Sequence, residues 1–175
     1  MAYLVISCSL NPESRSRKLA KDAQNRLEVL YEKTVWLDLA ECDLPLCDGN
    51  SVYKHSIVGE VGKLVKEADG VLMAAPIYNY DLNAVAKNFI ELTGRAWQDK
   101  VVGFLCAAGG EGSFMSPMSM ANSLMLDFRC IVIPCFVYAS SKNFSDNGDV
   151  TPEIKERIDG LVDVFVKVSK ALKDS

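Results

Sequence analysis

The sequence predicts an α/β protein: a three-layer α/β/α sandwich around a five-stranded parallel sheet, with strand order 2-1-3-4-5. Three observations predict it. Short apolar runs rich in branched residues alternate five times with stretches of helical period. The runs are too short for helices and apolar enough for strands covered on both faces. Gly, Pro, Asn and Asp cluster between the elements, where the chain must turn.

The first strand runs from Tyr3 to Ser7. A helix follows from Ser14 to about Glu32, with Leu19, Ala23, Leu27 and Leu30 on one face. Thr34 to Leu39 is the second strand, and Glu41 to Ser51 is a loop. Ile57, Val61, Leu64, Val65 and Ala68 mark the second helix. The third strand, Val71 to Ala75, is expected to stop at Pro76. The third helix covers about Asn83 to Ala96, the fourth strand Val101 to Ala107, and the fourth helix about Ser116 to Asp127. The fifth strand, Ile131 to Tyr138, contains Pro134, which places it at an edge. The last helix starts at Thr151-Pro152-Glu153, with Thr151 as N-cap and Pro152 at the first position. Its inner face is Ile154, Ile158, Leu161, Phe165, Val168 and Leu172.

The chain has 175 residues, 49% hydrophobic and 24% charged. No linker, repeat or low-complexity tract divides it, so residues 1–175 read as one domain, one that buries roughly 70% of its unfolded surface. A net charge of −4 disfavours nucleic acid and anionic membrane surfaces as partners. No apolar stretch approaches the ~20 residues of a membrane span. Residues 1–6 lack a basic region and make a better strand than signal peptide. The cysteines at 8, 42, 47, 106, 130 and 135 form no C-x-x-C and read as reduced thiols of a cytoplasmic protein. With His55 the only histidine, no metal site and no Ser-His hydrolase is expected.

In doubly wound sheets, ligands bind beyond the carboxyl ends of the strands, where the order reverses. The loops after strands one, three and four are therefore the candidates. The first, Ser9 to Ser16, offers hydroxyls, the Asn11 amide and the Arg15 guanidinium at a helix N-terminus, chemistry suited to a terminal phosphate. A Ser14 that merely caps the helix accounts for the same residues. The second, Pro76-Ile77-Tyr78-Asn79, combines a rigid proline, aromatic bodies and backbone donors, which suit a flat heteroaromatic ring; a turn with aromatic packing accounts for the same residues. The third, Ala107 to Ser113, has small residues at Ala108, Gly109 and Gly110 that allow close backbone approach to a ligand; a flexible turn accounts for the same glycines. Met115, Met118, Met120 and Met125 read first as core filling, next as a subunit interface, and third as facing a substrate. Asp81 and Glu91 read as solvated helix charges, and Cys42 and Cys47 as two loop thiols.

These loops resemble the NADPH-dependent FMN reductase family, a branch of the flavodoxin-like fold. The family's first loop is close to G-S-x-R-x-x-S-x-N; Ser9 and Ser14 match, while Cys8, Asn11 and Ser16 depart. Its second motif is close to P-x-Y-N, then P-G-x-L-K-N and an acidic residue. Pro76, Tyr78, Asn79, Lys87, Asn88 and Glu91 match; Asn83, Ala84 and Ala86 depart. The resemblance implies FMN as cofactor and NADPH or NADH as donor. It places Ser9, Ser14, Arg15 and Ser16 around the phosphate, with Arg15 and Arg17 standing in for the arginine lost at Asn11. It places Pro76, Ile77, Tyr78 and Asn79 along the isoalloxazine, and Ala108 to Gly110 at its pyrimidine side. It implies a ping-pong hydride transfer, with no catalytic side chain, to free flavin, a quinone, an azo dye or a metal oxyanion, in a homodimer or homotetramer. Two alternatives stand beside this: a flavodoxin-type electron carrier, and a flavodoxin-like interaction module without cofactor.

Overall fold

The computed structural model describes residues 2–173. Strand β1 is Ala2–Ser7, followed by helix α1, Arg15–Val29, and strand β2, Lys33–Asp38. Helix α2, Ser56–Glu67, leads into β3, Gly70–Tyr78, and a two-residue strand β4, Asp81–Leu82. Then come α3, Ala84–Thr93, β5, Val101–Ala107, and α4, Pro117–Phe128. Strands β6, Ile131–Val132, and β7, Val137–Ala139, precede helix α5, Pro152–Lys173.

The main sheet runs β2-β1-β3-β5-β6, all parallel; β7 also pairs with β5, and β4 pairs antiparallel with β3. Among the described residues, the expected five strands are thus seven. The expected fifth strand is broken, because Val101 and Val102 pair with Ile131 and Val132, an offset of 30, whereas Leu105 pairs with Val137, an offset of 32. Two extra residues are accommodated around Pro134, which cannot donate to the ladder. The edge position of this strand is as expected.

Strand β3 does not stop at Pro76; it continues to Tyr78. The reason is geometric. Ala74 O accepts from Cys8 N at 2.8 Å, so residues 74 and 76 face the β1 side. The paired run of β1 ends at Ser7, opposite Ala74. The proline's missing N–H therefore falls where no strand waits for it. Its carbonyl accepts from Asn83 N instead, at 3.1 Å.

Side chains alternate between two cores. Leu4, Ile6, Val71, Met73, Phe104 and Cys106 meet α2, α3 and α4; Tyr3, Val5, Leu72, Ala74 and Leu105 meet α1 and α5. The α5 face is as expected at Ile154, Ile158, Leu161 and Phe165, all buried. Gly70 is needed there: a methyl group on it would stand 2.6 Å from the Phe165 ring. Helix α1 stops short of Glu32 in a left-handed turn at Tyr31 (φ 59°), with Glu32 N donating to Leu27 O. Thr151 does not cap α5 through its side chain; its hydroxyl is buried without a hydrogen-bond partner.

Of Met115, Met118, Met120 and Met125, Met120 alone is core and the other three are exposed. The face of α4 turned from the sheet is thus more apolar than core filling requires. His55 is exposed, as a solvated histidine should be. Glu91 pairs with Lys87 on α3, but Asp81 lies on β4 rather than on a helix and accepts from Ser119.

Candidate active site

Parallel strands bring the ends of β1, β3 and β5 to one edge, so the loops that follow them meet there. Between them lies a cleft of about 330 Å³, within the usual range of small-molecule sites. Ser9, Asn11, Ser14, Arg15, Ser16, Pro76, Ile77, Tyr78, Ala108 and Gly109 line it, together with Glu13 and Ala107. Of the residues singled out in the sequence, Asn79 and Gly110 stand outside this lining. Glu13, a residue of the first loop, and Ala107, the first residue of the third, lie in the lining without being picked as ligand contacts from the sequence. A larger cavity of about 840 Å³ lies between α3 and α4. It is away from the strand ends, and size alone does not make it a site.

The first loop is held from several directions. Ser14 is the N-cap of α1: its backbone is extended and its Oγ accepts from Arg17 N at 3.1 Å. Ser14 Oγ and Ser16 Oγ lie 3.0 Å apart and are buried. Asn11 Oδ1 accepts from Glu13 N at 2.9 Å, and Ser9 Oγ accepts from Asn11 N at 3.3 Å. No acidic residue occupies the first turn of α1, and Arg15 does. A cation beside the positive end of a helix is unfavourable unless an anion joins them. The Arg15 guanidinium lies 5.4 Å above the Phe144 ring, which gives it a second contact.

Arg17 is not available to an anion. Its guanidinium is bound to Asp38 and to loop carbonyls beneath the cleft. It cannot stand in for an arginine at Asn11, and Arg15 alone carries positive charge into the lining.

Two departures from the family motif touch each other. Asn83 Nδ2 donates to Cys8 O at 2.8 Å, tying the second loop to the first. The Cys8 side chain is fully buried in the α2–α4 core, so it does not fill the loop's mouth. Burial pushes the Cys8 thiol far above its ordinary range, with Cys106 and Asp38 adding to the effect. It is a packing group and not a nucleophile.

The second loop is a tight hairpin between β3 and β4, with Tyr78 opposite Asp81. Its two central residues, Asn79 and Tyr80, are both left-handed, at φ 50° and 69°. That is the two-residue turn that matches strand twist, but it ordinarily takes glycine second. Tyr80 is thus held in a strained conformation, beside the cleft and exposed.

The third loop is anchored from behind. Tyr138 OH donates to Gly110 O at 2.6 Å, and Ser141 Oγ donates to Gly109 O at 2.8 Å. Phe114 packs on Phe136 and Tyr138. A methyl group at Gly109 or Gly110 would meet no protein atom within 4 Å, so the space before this loop is open.

The family model for NADPH-dependent FMN reductase matches residues 1–144. The chain belongs to that family. It is therefore an FMN-dependent NAD(P)H oxidoreductase with a flavodoxin-like fold. It is 27% identical over 164 residues to an NAD(P)H:quinone oxidoreductase of Solanum tuberosum, covering 89% of this chain and 82% of the relative. It is 26% identical over 179 residues to an NADPH azoreductase of Bacillus sp. (strain OY1-2), covering 99% and 97%. In fold it is similar to the NAD(P)H:(acceptor) oxidoreductase FerB of Paracoccus denitrificans, with TM-score 0.78, 23% identity and 97% of both chains covered.

The cleft fits FMN. Hydroxyls gather at a helix N-terminus whose first turn holds no acidic residue, and Gly109, with no protein atom within 4 Å of where its Cβ would stand, lines the same cleft as Pro76 and Tyr78. Among the described residues, no helix is long and apolar enough to cross a membrane.

Proposed function

We propose that this cleft binds FMN and passes electrons from NADPH or NADH to a quinone, free flavin, an azo compound or a similar small acceptor. The observation that supports it most is the meeting of the hydroxyl-lined α1 N-terminus with the Pro76–Tyr78 edge and the open third loop. Ser9, Asn11, Ser14, Arg15 and Ser16 hold the phosphate; Pro76, Ile77 and Tyr78 support one side of the ring and Ala108 and Gly109 the other, with Asn79 and Gly110 shaping the turns next to them. FMN, when bound, supplies the two-electron exchange. The chain contributes binding and orientation: the titratable groups in the lining are Glu13, Arg15 and Tyr78, and Tyr78 is 55% exposed. The exposed Tyr78 leaves the cleft open to solvent on one side. Donor and acceptor enter by that mouth in turn, which is a ping-pong scheme.

The protein acts as one domain of residues 1–175 in the cytoplasm and self-associates as a homodimer or homotetramer. The exposed Met118, Met125 and Leu126 of α4 support that association.

The test is a visible spectrum of the protein with FMN, then NADPH or NADH, then a quinone. Bound flavin that bleaches with the nicotinamide and recovers with the quinone is the expected result. Parallel double-reciprocal plots accompany it. Bound flavin that neither nicotinamide bleaches overturns the proposal in favour of an electron carrier.

A further inference from the structure

Arg17 lies three residues inside α1, yet its side chain turns back beneath the first loop. Nε donates to Asp38 Oδ2 at 2.5 Å, and Nη2 to Asp38 Oδ1 at 3.3 Å. Nη1 donates to Asn11 O at 2.8 Å and Pro12 O at 3.2 Å, and Nη2 also donates to Ser9 O at 3.0 Å. A guanidinium has five N–H groups, and these contacts use them all. Asp38 is the last residue of β2, 7% exposed, and also accepts from Ala40 N at 3.1 Å. One planar group therefore joins the end of β2 to three carbonyls of the first loop.

The consequence follows from the planar trans peptide, in which C=O and the next N–H point in opposite directions. With Ser9 O drawn down to Arg17, the Leu10 N–H is turned away from it. Asn11 O is followed by Pro12, which has no N–H to turn. Left to itself, a loop with the carbonyls of Ser9, Asn11 and Pro12 facing an anion would repel it.

We propose that Arg17, clamped by Asp38, is the positioning residue of the phosphate loop. It holds the carbonyls of Ser9, Asn11 and Pro12 away from the cleft, so that hydroxyls and N–H groups face the phosphate. It acts through the loop and does not touch the ligand. The inference rests on the reading of the cleft as the FMN site.

The experiment compares FMN with riboflavin, which lacks the phosphate, by quenching of flavin fluorescence in wild type, Arg17→Lys, Arg17→Met and Asp38→Asn. Both Arg17 variants are expected to lose about tenfold or more in FMN affinity, with riboflavin affinity held within about twofold. Lysine does not rescue, because three donors on one nitrogen cannot serve three carbonyls and a carboxylate together. Arg17→Lys binding FMN as wild type does overturns the proposal, since charge alone then suffices. Equal losses for FMN and riboflavin also overturn it, since the role is then generally structural. Should circular dichroism show both Arg17 variants unfolded, Asp38→Asn decides. It keeps the carbonyl contacts but loosens the clamp, so a selective loss for FMN supports the proposal and no loss overturns it. Wild type that binds no FMN removes the cofactor reading itself, a result distinct from all of these.

Discussion

Ser14 does two jobs, and two substitutions separate them. Its Oγ accepts from Arg17 N at 3.1 Å as the cap of α1, and it shares a buried hydrogen bond of 3.0 Å with Ser16. Ser14→Ala removes both. A lost serine cap costs about 1 kcal/mol, and an unpartnered Ser16 hydroxyl adds about half as much again where water does not replace the bond. At about 2–4 °C per kcal/mol for a chain of this size, Tm falls by about 3–6 °C. If the hydroxyl also donates to the FMN phosphate, a charge-assisted bond of about 1.5–3 kcal/mol is lost, or about 10- to 150-fold in Kd. Ser14→Asp keeps a strong capping oxygen and adds a favourable charge at the helix N-terminus. Its Tm should match or exceed that of wild type. The same carboxylate faces the phosphate dianion, so FMN affinity should fall at least as far as in Ser14→Ala while riboflavin affinity stays level. Thermal melts without flavin and fluorescence titrations with each flavin measure the two effects independently. A Ser14→Asp protein that binds FMN as tightly as wild type would refute the phosphate placement. An unchanged Tm in Ser14→Ala would refute the capping argument.

Three further outcomes are expected. Tyr80→Gly relieves a left-handed tyrosine at the second position of the β3–β4 turn, so stability stays level or rises by up to about 1 kcal/mol in chemical denaturation; a clear loss would show that the Tyr80 side chain holds the turn. In the native protein a thiol reagent at neutral pH should label Cys135 first and spare Cys8 and Cys106 until the chain unfolds, because burial raises both of those thiols; rapid native labelling of Cys8 would contradict its packing. The Ser51 hydroxyl, with the N–H groups of Asn50 and Val52, lowers the Asp48 carboxyl from 3.8 to about 2. Its contribution to stability is therefore complete above pH 4 or so and is lost as pH falls through about 2. Carboxyl NMR should show that midpoint, and Ser51→Ala should raise it; a wild-type midpoint near 3.8 would remove the hydrogen-bonded cap from solution.

Patterns of one or two turns were legible in the sequence because they are local. The spacing of Leu19, Ala23 and Leu27 defines a helix face wherever that helix docks. The run Val101 to Ala107 is a strand with those very bounds. Alternation of strands with helices made the sheet parallel, and a parallel sheet gathers its carboxyl-end loops. That reasoning alone brought most of the lining to one edge. Ser14 as a cap was legible too, since capping needs only the residues that follow it.

Tertiary structure decided whatever depended on a distant partner. Pro76 can sit within β3 only because β1 has already ended beside it, and Pro134 breaks the last strand because β5 runs unbroken beside it. Methionine is apolar on either side of a helix, so only packing shows that Met120 faces inward and Met115, Met118 and Met125 outward. Thr151 has the residue type of a cap but not its hydrogen bond. Arg17 is the plainest case. Its charge beside a serine-rich loop suggested a phosphate ligand, but Asp38, twenty-one residues away, takes part of the guanidinium and three carbonyls take the rest. Sequence shows how many donors a side chain has; only the folded chain shows which acceptors reach them first.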